Sequence, residues 1–242
     1  MKIIVKIFKR YDIVLCQEVH LSEELIKQLV DKISTSSIPY SYKLSDYIGN
    51  NSYKEKYLYL YRSNEWKVLK SYEIKKFHDK FFRVPYVARF QNLRKYHISV
   101  TLVGCHTHPD NAYEEIKTLL NNVYADIKAK LEKKDRFSFL FNLIYCLSLC
   151  ISSNYNKPII IMGDFNASGS YLNKKKQAEL DKILENNDLM WGINHTCDTT
   201  IATKCNAYNR FVFEVKNKER CIGNTKIYKF DKNFKNMNKD FL

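Results

Sequence analysis

The 242-residue chain has no CxxC pair and no zinc-type grouping among its seven cysteines, Cys16, Cys105, Cys146, Cys150, Cys197, Cys205 and Cys221. The odd count leaves at least one thiol unpaired, which excludes a fully paired disulfide framework. Cys197 and Cys205 flank a short Thr-rich segment and could bridge, but the set does not space like a designed framework. No apolar run reaches the roughly 18 residues of a membrane helix, so no membrane span is expected. The opening MKIIVKIFKRYD has too short an apolar run for a signal peptide. Acidic residues are few beside basic ones, 26 against 40, and the formal net charge is +14. That field suits a polyanionic partner such as nucleic acid. The excess is nearly all Lys, alongside abundant Asn, Ile, Tyr and Phe, a pattern that AT-rich coding also produces. With 45% hydrophobic and 27% charged residues, the composition is that of a globular domain. One domain covering 1–242 is expected.

Periodicity sketches the elements. Ile3 to Arg10 reads as the end of an amphipathic helix, followed by a strand over 13–19. Ser22 with Glu23 and Glu24 starts a helix to about Ile33. Strands are predicted at 40–44, 57–62 and 66–73, with Arg62-Ser63-Asn64-Glu65 as a hairpin turn. Further strands follow at 86–91 and 96–104, then a helix over 111–132. A strand at 158–162, a helix near 174–186 and two late strands at 210–215 and 226–230 complete the chain. Interleaved strands and helices predict a two-sheet α/β sandwich. The uncharged segment FSFLFNLIYCLSLCISSNYN, 137–156, stands outside this pattern as an insertion. Two readings stand for it: a buried helix, or an unspliced intron translated in frame.

The most informative stretch is GDFN. The apolar run Ile159-Ile160-Ile161-Met162 ends in a tight turn at Gly163. Asp164 and Asn166 follow, one residue apart across Phe165, and period-two spacing puts both on one face. A carboxylate beside an amide at a strand end can hold a metal-bound water or a phosphate oxygen. The plain alternative is a β-turn rich in Asp, Asn and Gly. Four other pieces share its design. Gln17-Glu18 ends one strand, Asn51 to Tyr57 (NSYKEKY) leads into another, and Cys105-His106-Thr107-His108-Pro109 ends a third. Asp198-Thr199-Thr200 precedes Ala207-Tyr208-Asn209-Arg210. Polar residues at strand ends converge on one rim when the strands lie side by side.

These pieces together resemble the secreted deoxyribonuclease I family. RYDIVLCQEV, NSYKEKYLYLYR, the His-before-Pro strand end, PIIIMGDFNA, and CDTT followed by AYNR stand in family order. GDFN alone is shared by the wider endonuclease/exonuclease/phosphatase superfamily. The resemblance implies a DNase I-like fold, a monomer acting on double-stranded DNA, and metal-assisted phosphodiester hydrolysis with Mg²⁺ or Mn²⁺. It implies Glu18 as a metal ligand, since carboxylate oxygen suits a hard cation. His106 matches a catalytic histidine, and Glu55 the carboxylate that orients it. Asp164 and Asn166 match catalytic residues that bind phosphate and metal, Thr200 a residue near the phosphate, and Asp198 a ligand of a structural Ca²⁺ site. Tyr53 and Arg83 match DNA-contacting positions, and His20 stands where the family carries a minor-groove Arg. His108 has no counterpart. Nothing here supports actin binding, and the family's secretion finds no signal peptide in this chain.

Departures from the family pattern set a second expectation. The resemblance implies a first strand bearing an Asn, and a closing Ser-Asp-His-Tyr-Pro that supplies a metal-site Asp and a second catalytic His. Neither lies within these residues, so the sandwich is expected to lack its first and last strands. The Asp that would pair with that second His is Asn209, which carries no charge to stabilise an imidazolium. The family's Arg-Glu-Pro reads Arg83-Val84-Pro85. The disulfide partner of Cys205 reads Ser168-Gly169-Ser170, an absence costing on the order of 2–5 kcal/mol. The expected enzyme is therefore weak or inactive as written. The alternative is an inactive relic of the fold that binds DNA or protein. A lipid- or nucleotide-directed phosphodiesterase is a third reading, which only 137–151 could serve.

Overall fold

The computed structural model describes residues 2–50, 53–95, 98–133, 157–200, 204–219 and 226–230. The uncharged segment 137–156 and the motif residues 51–52 lie outside them.

Two sheets stack face to face and a helical layer covers each. The smaller sheet has the order β1-β3-β2, built from β1 (Ile13–Val19), β2 (Tyr40–Leu44) and β3 (Lys56–Arg62). The larger has the order β4-β5-β6-β7-β9-β8. Its strands are β4 (Trp66–Glu73), β5 (Tyr86–Asn92), β6 (Ser99–His106), β7 (Ile159–Asp164), β8 (Leu189–Trp191) and β9 (Asn209–Glu214). All pairings are antiparallel except β6 with β7. A parallel pair needs a crossover, and the helix starting at Ala112 supplies its described part.

Strand β3 shows how the sequence makes the sandwich. In KYLYLYR the side chains alternate between faces. Tyr57, Tyr59 and Tyr61 enter the core between the sheets with Tyr86, Ala88, Phe90 and Leu102. Leu58 and Leu60 face the other way, onto Ile26, Leu29 and Ile33. Those three lie on α2 (Glu23–Ile33), whose Ser22 cap accepts from the Leu25 amide. Helix α1 (Lys2–Phe8) packs beside it. On the far side, α3 (Ala112–Thr118) and α4 (Lys174–Asn186) cover the larger sheet. Helical backbone continues from α3 through a π turn at Leu119–Val123 and on to 133.

The two-sheet α/β expectation holds, with local corrections. Residues 226–229 form no strand; the Lys229 side chain is instead drawn to Asp198. The three-residue β8 was not foreseen. The strand predicted at 96–104 is paired over 99–106, which carries His106 to its tip. Likewise β7 does not stop at Gly163 but runs through it to Asp164. Among the described residues no helix is long and apolar enough to cross a membrane.

Candidate active site

Five strand ends meet at one rim. Val19 at the end of β1 pairs with Lys56 at the start of β3. His106 at the end of β6 pairs with Asp164 at the end of β7, and Asp164 pairs with Asn209 at the start of β9. Ladder pairing thus delivers Glu18, Glu55, His106, Asp164 and Asn209 to a common edge.

Strand β1 reaches that edge with a bulge. Its register shifts between Cys16 and Val19, and Glu18 takes a left-handed φ of 55°. A bulge re-aims side chains, and here it separates two neighbours. Glu18 points outward, 69% exposed. Gln17 turns inward and bridges the sheets: its amide Nε2 donates to the Cys105 carbonyl at 2.6 Å, and its Oε1 accepts from the Asp164 amide at 3.0 Å.

His106 sits behind Glu18. Its Nδ1 lies 3.0 and 2.9 Å from the two carboxylate oxygens of Glu55. A carboxylate only accepts, so Nδ1 is the protonated nitrogen. Nε2 is thereby left facing the open rim, 3.9 Å from Glu18 Oε1. Arg83 closes the other side of Glu55, with Nε 2.8 Å from Oε2. That contact is an ion pair without hydrogen-bond alignment: neither Nε nor Nη1 of Arg83 has a hydrogen-bond partner among the described residues. Both nitrogens are buried, so this side of the guanidinium supplies charge to Glu55.

Asp164 and Asn166 come together through a turn, not through continued strand. The Asn166 amide donates to Asp164 Oδ1 at 2.8 Å, and Asn166 has a φ of 45°. Its Nδ2 donates to the Thr107 carbonyl at 2.8 Å, next to His106 in the chain. Burial raises the Asp164 pKa, and the charges of Glu18 and Glu55 add to that while His106 opposes it.

The remaining predicted residues lie further out. Tyr53 is 71% exposed on the loop before β3. Its carbonyl packs against Gly49, which also neighbours Arg83. His20 is exposed just past β1. Thr200 and Asp198 are one link removed: Thr199 Oγ1 accepts from the Asn209 amide at 3.0 Å.

No family model matches the chain. It is 30% identical over 240 residues to deoxyribonuclease-1-like 1 of Cricetulus griseus, covering 97% of this chain and 70% of that protein. It is 31% identical over 216 residues to deoxyribonuclease-1 of Bos taurus, covering 86% and 68%.

The chain belongs to the deoxyribonuclease I family.

Solved structures share the fold at low identity. The human Nocturnin catalytic domain with bound sulfate anion gives a TM-score of 0.53 at 11% identity, covering 88% of this chain and 73% of that one. An endonuclease/exonuclease/phosphatase protein of Bacteroides vulgatus gives 0.51 at 13%, covering 87% and 77%. Membership of the deoxyribonuclease I family makes the chain a member of a hydrolase family of the nuclease and phosphodiesterase type, whose members generally use divalent metals.

The two cation positions expected from that family differ in fit. Among the described residues no three His, Cys, Asp or Glu side chains form a ready cage. Mg²⁺ does not require one, because it keeps several waters and takes one or two carboxylates. Exposed Glu18 oxygens near Asp164, which the Glu18 and Glu55 charges strain, make a donor set that a hard cation would relieve. Asp198 does not fit a divalent ion. Its Oδ1 accepts from the Thr200 amide and hydroxyl at 3.0 and 2.8 Å. Its Oδ2 is taken by the Lys229 ammonium at 2.6 Å, which also donates to the Thr200 carbonyl at 3.1 Å. A tethered cation already sits there.

Sequence reasoning missed two groups that build the rim. Gln17 reads only as a polar strand end, because its partners, Cys105 and Asp164, are remote in sequence. Arg210 is 98% buried by its 2% exposure. It donates to the carbonyls of Ala207 and Ala167 and to His195 Nδ1, so it holds the loop after GDFN. Its charge is covered by the Trp191 ring, 4.8 Å away.

Proposed function

We propose that the chain hydrolyses DNA phosphodiester bonds with a divalent metal, weakly as written. The observation that carries this is the Glu55–His106 pair, with Nδ1–H held by the carboxylate and Nε2 turned to the rim. In that tautomer Nε2 can take a proton from the attacking water, and the leaving 3′ oxygen is then protonated by solvent. Glu55 fixes the ring and favours the imidazolium that forms. Arg83 adds positive charge behind Glu55 that would draw a phosphate to the rim, and Asn166 holds the Asp164 carboxylate through its amide. Glu18 and Asp164 would hold Mg²⁺ or Mn²⁺, which when bound neutralises phosphate charge and activates water. Tyr53 is placed to pack against the groove of duplex DNA, while His20 grips a minor groove less firmly than an Arg.

Weakness follows from charge. His106 is the one imidazole among the described residues bonded within the Glu18–Glu55–Asp164 cluster. Asn209, opposite Asp164, is neutral. One member of an acid/base pair contributes about 10² to 10⁴ in rate.

A plasmid-nicking assay with Mg²⁺ tests the reading. The wild-type chain should nick supercoiled DNA above background, and His106→Ala should lose on the order of 10²-fold or more of that rate. Equal rates in the two proteins would remove His106 from the mechanism. The second reading, a non-catalytic binder of the same fold, rests on Asn209. Duplex binding that weakens with salt, without any cleavage, would favour it.

A further inference from the structure

Glu115 belongs to none of the motifs above, yet it is fully buried in the first turn of α3. Its neighbour Glu114 is solvent-facing and already places a negative charge at that helix start. Glu115 uses its oxygens differently. Oε1 accepts from the Phe82 amide at 3.0 Å, and Oε2 accepts from the His108 amide at 3.2 Å. Phe82 immediately precedes Arg83, and His108 stands two residues after His106. The Phe82 and His108 rings close the same seam, with centroids 4.6 Å apart.

The loop after His106 is tied to the GDFN turn, with the Thr107 amide donating to the Asp164 carbonyl at 3.0 Å and the Thr107 hydroxyl to the Phe165 carbonyl at 2.7 Å, but neither bond reaches the Arg83 loop. Residues 81–85 and 107–108 carry no regular hydrogen-bonded structure. Yet Arg83 and His106 must both meet Glu55, at 2.8 and 2.9 Å. The Glu115 carboxylate is the group that accepts from both loops, one oxygen to each.

We propose that Glu115 is a positioning residue: its carboxylate clips the Arg83 loop to the loop after His106 and so fixes the Arg83–Glu55–His106 chain. This rests on the reading of Glu55–His106 as the acid/base pair. Removing the clip leaves two backbone donors without acceptors and lets the Arg83 segment drift from Glu55. A merely structural Glu115 would change stability but leave the Glu55–His106 bond alone.

The readout is the imidazole Nδ1–H proton of His106, seen in ¹⁵N-histidine-labelled protein by NMR. Held by a buried carboxylate, it should appear far downfield and exchange slowly with water. In Glu115→Ala the signal should vanish while the dispersed amide spectrum persists. Glu115→Gln keeps one acceptor, so the signal should remain, with exchange faster by about tenfold when measured well above pH 7, where the Glu115 carboxyl of the wild type is ionised. If Glu115→Ala fails to fold, the Glu115→Gln exchange rate decides alone. A folded Glu115→Ala with the signal intact, or Glu115→Gln with unchanged exchange, overturns the positioning role and spares the acid/base reading. No downfield signal in the wild type removes the Glu55–His106 pair, and this inference with it.

Discussion

Gly163 illustrates how tightly the rim is built at the level of single residues. It sits within β7 at a φ of 145°, and a Cβ there would lie 1.9 Å from the Cys105 carbonyl and 2.9 Å from Gln17 Nε2. Both atoms belong to the bridge between the sheets, so neither can yield without breaking it. Gly163→Ala should therefore cost on the order of 3 kcal/mol or more, from backbone strain and overpacking together. Urea unfolding checks this, and a loss under about 1 kcal/mol would mean that the bridge gives way easily. The legibility of the site divides along the same line. The strand-end positions of Glu18, Glu55, His106 and Asp164 follow from local patterns, and the family resemblance supplied the roles expected of them. Gln17 and Glu115 could not be read in advance, because they bind backbone amides and carbonyls of other segments. A side chain whose partner is a peptide group carries no complementary residue to look for.

Among the elements, those with many alternating residues were readable and the short or charge-held ones were not. Strand β3 announced itself through KYLYLYR because both its faces are buried and differ in residue type. Strand β8 has three residues, too few for any period to register. The segment 226–230 has strand-like composition, but Lys229 is pulled to Asp198 and its backbone pairs with no sheet. That ion pair makes a prediction about the loop at 198–200. Lys229 and Thr200 hold the Asp198 carboxyl well below the usual carboxylate range. With an ammonium on Oδ2, the loop should need no divalent ion. Calcium or a chelator should leave the rate of limited proteolysis near Cys197 unchanged in the wild type. Lys229→Met should speed that proteolysis. Slower wild-type cleavage near Cys197 in millimolar calcium, kept in a Glu18→Gln background, would mean that the ion displaces the lysine. The family resemblance pointed to a calcium ligand at Asp198 because the loop motif is shared. The substituting cation sits about 30 residues downstream, beyond the reach of any motif.

For the molecule as a whole, the net charge of +14 and the buried acids pull stability in different ways. Exposed carboxylates such as Glu23 and Asp79 are stabilised by neighbouring groups, and their pKa values are lowered. Their contribution is present above the ordinary carboxylate range and is lost in acid, but solvent screens it. Glu115 acts in the opposite sense and is not screened. Burial pushes its pKa from 4.5 up to about 7, against the opposing hydrogen bonds from Phe82 and His108. Between those values the folded chain holds a proton that the unfolded chain has released. Stability must therefore fall as pH rises through that window. A shift of that size corresponds to about 3 kcal/mol, fully expressed above pH 7. Asp164, also raised by burial, adds to the same trend. The chain should accordingly be most stable on the acid side of neutrality. Its urea midpoint, measured in EDTA so that no cation binds Glu18 and Asp164, should drop between about pH 5 and pH 7.5. Glu115→Gln cannot ionise, and its midpoint should change far less over that range. A wild-type midpoint that rises instead would show that the Glu115 carboxyl is solvated or paired with a cation. The clip between the two loops would then not be the buried device on which the geometry of Arg83 and His106 depends.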